Sequence, residues 1–156
     1  MSRTRPLTAQ EQHAWRQLVY MTYFLDSTLD RQMIRDAGLP HTYYVVLVLL
    51  YEAKGRRMRM SELAQRLRFS PSRLAHAVKA MERSGWVRRD PSTEDRRVQL
   101  ASLTERGLEL IRRVAPLQVA EVRTRVLDRL RPEQLDQLAE IAEAIMEGLE
   151  EDTPAH

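Results

Sequence analysis

Cysteine is missing altogether from this 156-residue chain, and with it go disulfides, thiolate metal sites and cysteine-based redox sensing. Five glycines leave little room for a glycine-rich phosphate loop. Lysine is scarce too: only Lys54 and Lys79 stand among the 25 basic residues. The longest apolar run, Tyr43 to Tyr51, is nine residues, far short of the roughly 20 that span a bilayer. The stretch MSRTRPLTAQEQ lacks the apolar centre of a signal peptide. These gaps predict a cytoplasmic protein with no membrane partner. The four histidines, His13, His41, His76 and His156, have neither ligand spacing nor cysteine help, so no metal or cofactor is expected. No nucleophile–base pattern is present, and an enzyme is not expected.

What the chain does contain is a globular balance of 43% hydrophobic and 30% charged residues, with its charges segregated. Arg56 to Arg97 holds twelve basic and five acidic residues, whereas Glu133 to Asp152 holds eight acidic residues and no basic ones. The first block suits a polyanion and the second would repel one.

The basic block centres on Ser70 to Thr104, SPSRLAHAVKAMERSGWVRRDPSTEDRRVQLASLT. Ser70 is a good N-cap and Pro71 suits the first helical position. Leu74, Ala77, Val78 and Met81 recur at helical spacing, and Gly85 stands where a glycine stops a helix. WVRRD and RRVQLASL then read as strands around the turn-forming run Asp90 to Asp95. Before this unit, SELAQRLRF reads as a short helix capped by Ser61, with Leu63, Ala64 and Leu67 inward. Two short helices, a tight turn and a basic hairpin make a winged helix-turn-helix, whose second helix enters the major groove of duplex DNA.

The flanks are long helices. Thr8 and Glu11 form a capping-box pair that starts a helix running to Asp36, with Trp15, Leu18, Thr22, Leu25, Leu29 and Met33 on one face. His41 to Lys54 is apolar nearly all round, a buried helix or a buried strand. Arg57 to Met60 is a candidate short strand. Thr104 caps a helix drawn through Leu130, in which Pro116 should kink or interrupt the ladder. Pro132 opens a last helix with Leu135, Leu138, Ile141, Ala142, Ile145 and Leu149 on one face, and Asp152 onward reads as a frayed tail. Such apolar stripes exceed what one protomer of this shape covers, so a homodimer is expected. The expected organisation is residues 1–40 for dimerisation, 41–104 for a winged helix-turn-helix lobe and 105–156 for two further dimerisation helices. The fold class is mainly α with a small β-wing.

Asp95-x-Arg97, five residues, then Leu103-Thr104 and Gly107 resembles the D-x-R-x5-L-T-x-x-G signature of the MarR family of transcriptional regulators. SELAQRL, Glu82, Gly85 and GLPHTYYVVLVLL extend the likeness over most of the chain. The resemblance implies a homodimer on a pseudo-palindromic operator, usually a repressor relieved by a small aromatic or anionic ligand. It implies that Arg97 enters the minor groove and that Asp95 braces that arginine. The recognition helix departs from the family, with Ala75 and His76 in place of a frequent Thr-Arg pair.

The expected DNA-binding residues are Ser70, Ser72, Arg73, His76, Lys79, Arg89, Asp95, Arg96 and Arg97. Arg73 and His76 are assigned to the groove; Ser70 and Ser72 to phosphate or simple capping. Arg88 and Arg89 flank phosphates or pair with Asp90, and Arg57 and Arg59 are backbone-contact candidates. Tyr20, Tyr23, Phe24, Tyr43 and Tyr44 are the candidate ligand-binding set, with His13 and Arg16 as possible charges; plain core packing explains the aromatics equally. Two other functions fit the same pattern: a ligand-independent or architectural DNA-binding protein, and a winged-helix protein-interaction module.

Overall fold

A computed structural model of the chain describes residues 5–151; His156 and the tail expected from Asp152 onward lie outside them. Helix α1 spans Ala9–Ala37 and begins where the capping box predicts. Thr8 Oγ1 accepts from the Glu11 N–H at 3.2 Å, and Glu11 Oε2 accepts from the Thr8 N–H at 2.7 Å. Helix α2, His41–Glu52, follows after a short turn, with Tyr44, Val46, Leu47 and Leu50 buried. Its first free N–H, that of His41, donates to Asp30 Oδ1 of α1 at 2.9 Å, so α1 supplies the cap that Pro40 cannot. The open choice between helix and strand resolves as helix: residues at i, i+3 and i+4 are buried together, which a period of two does not allow.

A three-residue strand, β1 (Arg57–Arg59), runs directly into α3 (Met60–Leu67). Ser61 is therefore inside the first turn and not its cap. Arg59, still paired to Leu100 in the sheet, takes the cap position with no side-chain bond. Helix α4, Pro71–Arg83, carries the expected Ser70 cap and proline start. It ends at Ser84, and Gly85 adopts φ +74°, a left-handed conformation that glycine tolerates without strain. The chain turns there so that the Trp86 N–H reaches the Met81 carbonyl at 3.0 Å.

Strands β2 (Val87–Pro91) and β3 (Gln99–Leu103) form an antiparallel hairpin, and the sheet order is β1-β3-β2. The second strand is shorter than expected: Arg96, Arg97 and Val98 belong to the connecting loop. Met58 pairs with Ala101, and both are buried against the helices, together with Leu63, Leu74, Val78 and Met81.

Helix α5 spans Glu105–Arg125 and passes through Pro116 without interruption. Pro116 and Arg112, the residue whose carbonyl it leaves without a ladder partner, are both exposed. The helix stops five residues before the expected Leu130, and a 3-10 turn, Leu127–Arg129, leads to α6, Pro132–Glu151. Two compact units result, Met1–Gln118 and Val119–His156, with the boundary inside α5. Among the described residues no helix is long and apolar enough to cross a membrane.

Candidate nucleic-acid interface

Helix α4 separates into two faces. Leu74, Ala77, Val78 and Met81 are buried, whereas Ser70, Ser72, Arg73, His76 and Lys79 are exposed. In the free chain Ser70 is a cap: its hydroxyl accepts from the Arg73 N–H at 3.2 Å and lies 3.3 Å from the Ser72 hydroxyl. The Arg73 guanidinium sits over the Phe69 ring, 3.9 Å from its centroid. Such a stack is worth about 0.5–1 kcal/mol at an exposed site and takes freedom from a long side chain. Phe69 carried no signal in the sequence beyond its place in the turn.

The wing loop is built by its own short polar side chains. Asp95 Oδ1 accepts from the backbone N–H of Arg97 at 3.0 Å, and the Asp95 carbonyl accepts from the Val98 N–H at 2.9 Å. Ser92 Oγ accepts from the Glu94 N–H at 3.2 Å. The family resemblance implied that Asp95 braces the Arg97 side chain; the bond observed holds the Arg97 backbone instead. That contact is local, two residues apart, and forms wherever an aspartate can close a tight turn. Arg96 and Arg97 are both exposed.

The strand arginines behave differently from the loop arginines. Arg89 is committed to α4: its Nε lies 2.7 Å from Glu82 Oε2, and its backbone N–H donates to Glu82 Oε1 at 3.0 Å. Arg88 pairs with Asp90 on its own strand. Arg89, expected among the DNA contacts, thus serves in the free chain as a strut between the wing and the recognition helix. Arg57 and Arg59 are exposed on β1. Arg57 stands in register with Ser102 and, across it, Arg88.

The five aromatics of the candidate ligand set do not come together. Tyr20, Tyr23 and Phe24 are 55%, 73% and 68% exposed on α1, while Tyr44 is buried in the core. Tyr20 packs on Phe24, and Tyr44 stacks on His41, each with ring centroids 6.3 Å apart. Tyr43 goes elsewhere. With Pro40 and Thr42 it faces Phe69, Arg73 and His76 across an open cleft of about 200 Å³. One residue of the ligand set and two of the DNA set therefore share a cleft. His13 and Arg16 are exposed on α1.

At the start of α2, His41 Nε2 lies 3.2 Å from the Gln118 amide nitrogen of α5. Burial holds the His41 pKa below its ordinary value despite the nearby Asp26 and Asp30 carboxylates, and burial pushes the Tyr44 phenol up. Among the described residues no group of three or more histidines and carboxylates is placed to hold a metal ion.

The MarR family profile matches residues 39–98. The fold superposes with a TM-score of 0.91 on Sco3205, a MarR family transcriptional regulator from Streptomyces coelicolor in complex with DNA; the two are 48% identical, over 96% of this chain and 93% of that one. AbsC, a MarR family transcriptional regulator from the same organism, gives a TM-score of 0.90 at 42% identity, over 96% of this chain and 100% of that one. The HTH-type transcriptional regulator PrsX of Escherichia coli is 35% identical over 81 residues, 52% of this chain, and the match spans about half, 49%, of that regulator's length. The chain belongs to the MarR family of transcriptional regulators.

Proposed function

We propose that this chain is a non-catalytic, sequence-specific DNA-binding regulator that works in the cytoplasm as a homodimer. It acts mainly as a repressor, released by a small aromatic or anionic ligand. The observation that carries the reading is the pairing, on one lobe, of an exposed polar and basic helix face with an exposed basic loop: Arg73, His76 and Lys79 on α4, Arg96 and Arg97 at the wing tip. A helix presents base-reading groups to a major groove, and a flanking arginine favours the negative potential of a narrow minor groove. Ser70 and Ser72 stand at the N-terminus of α4, where hydroxyls and free N–H groups suit phosphate. Asp95 shapes the wing loop, and Arg89 keeps the wing at a fixed distance from α4. The likeness to a regulator crystallised on DNA supports the same assignment.

The apolar stripes support the dimer. On α6 Leu135, Ile141, Ile145, Met146 and Leu149 are all exposed in the single chain. Contiguous apolar surface of this kind belongs against a partner, and a two-fold dimer would set two α4 helices about 34 Å apart, one turn of duplex. On this reading residues 41–104 contact DNA, and residues 1–40 and 105–156 assemble the dimer.

Fluorescence anisotropy on duplexes from the DNA flanking its own gene tests the proposal. Binding should fall linearly in log–log form as salt rises, because phosphate contacts release counterions. Arg97→Ala should cost about 1–3 kcal/mol of binding free energy. Unchanged affinity in that variant at about 0.15 M salt would remove the wing from the interface.

A further inference from the structure

We infer that Glu82 is a positioning residue for DNA recognition: it holds the wing against the recognition helix through Arg89, and so strengthens DNA binding without touching DNA. The inference rests on the DNA-binding reading and assigns Arg89 to Glu82 instead of to phosphate. Electrostatics alone argues against an acid at this position. Glu82 lies in the last turn of α4, where the helix dipole favours a cation, and on the lobe that must approach phosphate. An acid that carries both penalties needs a compensating contact, and Arg89 supplies it. One carboxylate oxygen accepts from the Arg89 backbone N–H at 3.0 Å, and the other lies 2.7 Å from Arg89 Nε. The Arg89 and Glu82 side chains are only 34% and 27% exposed, so salt and water screen the pair incompletely.

The contact matters because of where it sits on the hairpin. Val87 and Arg89 alternate onto the face of β2 that carries Leu103 and Ala101 of β3, the core-facing side, while Arg88 takes the other. Val87 is buried there, and Arg89, two residues further out, meets Glu82 instead of the apolar core. Past this point the hairpin is tied to itself. The Ser92 N–H donates to the Val98 carbonyl at 2.8 Å, and Asp95 closes the turn on the Arg97 N–H. A self-contained tip carries Arg97 as a unit, so its direction is set by the strand that leads into it. Glu82 grips that strand twice, at the backbone and at the side chain. Release of the grip spreads Arg97 over positions that miss the groove, and ordering it in the complex then costs entropy.

A double-mutant cycle, read by anisotropy on a duplex from the DNA flanking its own gene, tests the inference. Glu82→Gln removes an acid, yet should bind about fivefold more weakly than the wild type, a coupling of the size found between linked side chains. Glu62→Gln, which removes an acid paired with Arg66 inside α3, should bind at least as well as the wild type. Arg89→Gln should lose as much as Glu82→Gln. In an Arg97→Ala background both changes should fall silent, within the roughly twofold tolerance of independent sites, because the wing they position has lost its contact. In an Arg73→Ala background both losses should persist. Three outcomes overturn the inference. The first is Glu82→Gln binding as tightly as the wild type, or more tightly. The second is a loss that survives in the Arg97→Ala background, which would make Arg89 a direct contact or the pair a general support of the lobe. The third is failure of both single variants to fold, read by circular dichroism, which would make the pair purely structural. Each of these leaves DNA binding by the wild type intact. A wild-type chain that does not bind the duplex would instead defeat the reading proposed above, and this inference with it.

Discussion

Gly107 lies so close to the Trp86 carbonyl that a β-carbon on it would come within 2.2 Å of that oxygen. The Leu103 side chain would be 2.7 Å away. Thr104 completes the junction: its hydroxyl lies 2.7 Å from the Gly85 carbonyl oxygen and accepts from the Gly107 N–H at 3.0 Å. The last three residues of the family signature, Leu103, Thr104 and Gly107, are thus the joint at which α5, the end of α4 and the wing meet. Overpacking of a buried site costs about 1–3 kcal/mol, and here the obstacle includes backbone. We expect Gly107→Ala to lower Tm by several degrees, even though alanine is the better helix former by about 1 kcal/mol. The same change at Gly148, where nothing lies within 4 Å, should raise Tm instead. Equal signs for the two variants in thermal denaturation would reject the packing explanation.

Asp95 gives a second test, because two accounts of it differ in what they need. If it acts by closing the loop through the Arg97 N–H, an amide oxygen serves as well as a carboxylate. Asp95→Asn should then bind DNA at least as well as the wild type, since it also removes a negative charge near phosphate. Asp95→Ala should bind more weakly, by the roughly 0.5–1.5 kcal/mol of a lost hydrogen bond. Anisotropy on the operator decides. Should the asparagine variant fall as far as the alanine variant, the carboxylate charge itself would be the active feature, acting on the Arg97 fork in the complex.

The sequence carried the local devices of this fold well. Thr8 with Glu11, Ser70 with Pro71, and Gly85 are each set by a few neighbouring residues, so their chemistry is written in order. What it did not carry are contacts between elements. Glu82 and Arg89 meet only because the turn at Gly85 folds β2 back beside α4. Phe69 and Arg73 stack only because a left-handed Arg68 redirects the chain between α3 and α4. The aromatic set is dispersed for the same reason. Adjacent positions such as Tyr43 and Tyr44 lie about 100° apart around a helix, so one enters the core and the other faces α4. Ser61 misled because the strand before it was too short to announce that its last residue doubles as the cap.

The exposed stripe on α6 predicts how the dimer can be broken. Ile141 and Ile145 are four residues apart and share one helical face. A paired Ile141→Glu and Ile145→Glu change adds two charges to a region that is already acidic, so each copy would repel the other across the interface. Light scattering behind size exclusion should read a monomer, with the helical signal in circular dichroism largely kept. Operator affinity should drop by far more than any effect on a half-site, because two linked contacts become one. A dimer that survives both substitutions would move the interface away from this face.

His41 makes the stability of the chain depend on mild acid, and the sign follows from its surroundings. The neutral ring can accept a hydrogen bond from the Gln118 amide at 3.2 Å and stacks on Tyr44. Burial disfavours the charged form more than the Asp26 and Asp30 carboxylates favour it, so the folded pKa lies below the ordinary 6.5. Well above 6.5 neither state carries the proton and the group contributes nothing to pH dependence. As pH falls through 6.5 the unfolded chain takes up a proton that the folded chain resists, so stability declines until the folded value is passed. Protonation also sets two donors face to face unless the Gln118 amide turns over. Its Oε1 is buried with no hydrogen-bond partner, so it would be the acceptor on such a turn. The paired Asp36 carboxylate acts in a separate window, since its pKa lies below 3.8. His41→Gln removes the titrating group and keeps a polar side chain. Thermal denaturation at pH 7.5 and 5.5 should show a smaller loss of Tm in that variant than in the wild type. Parallel losses in the two proteins would mean that the His41 proton has no part in the acid sensitivity of the fold.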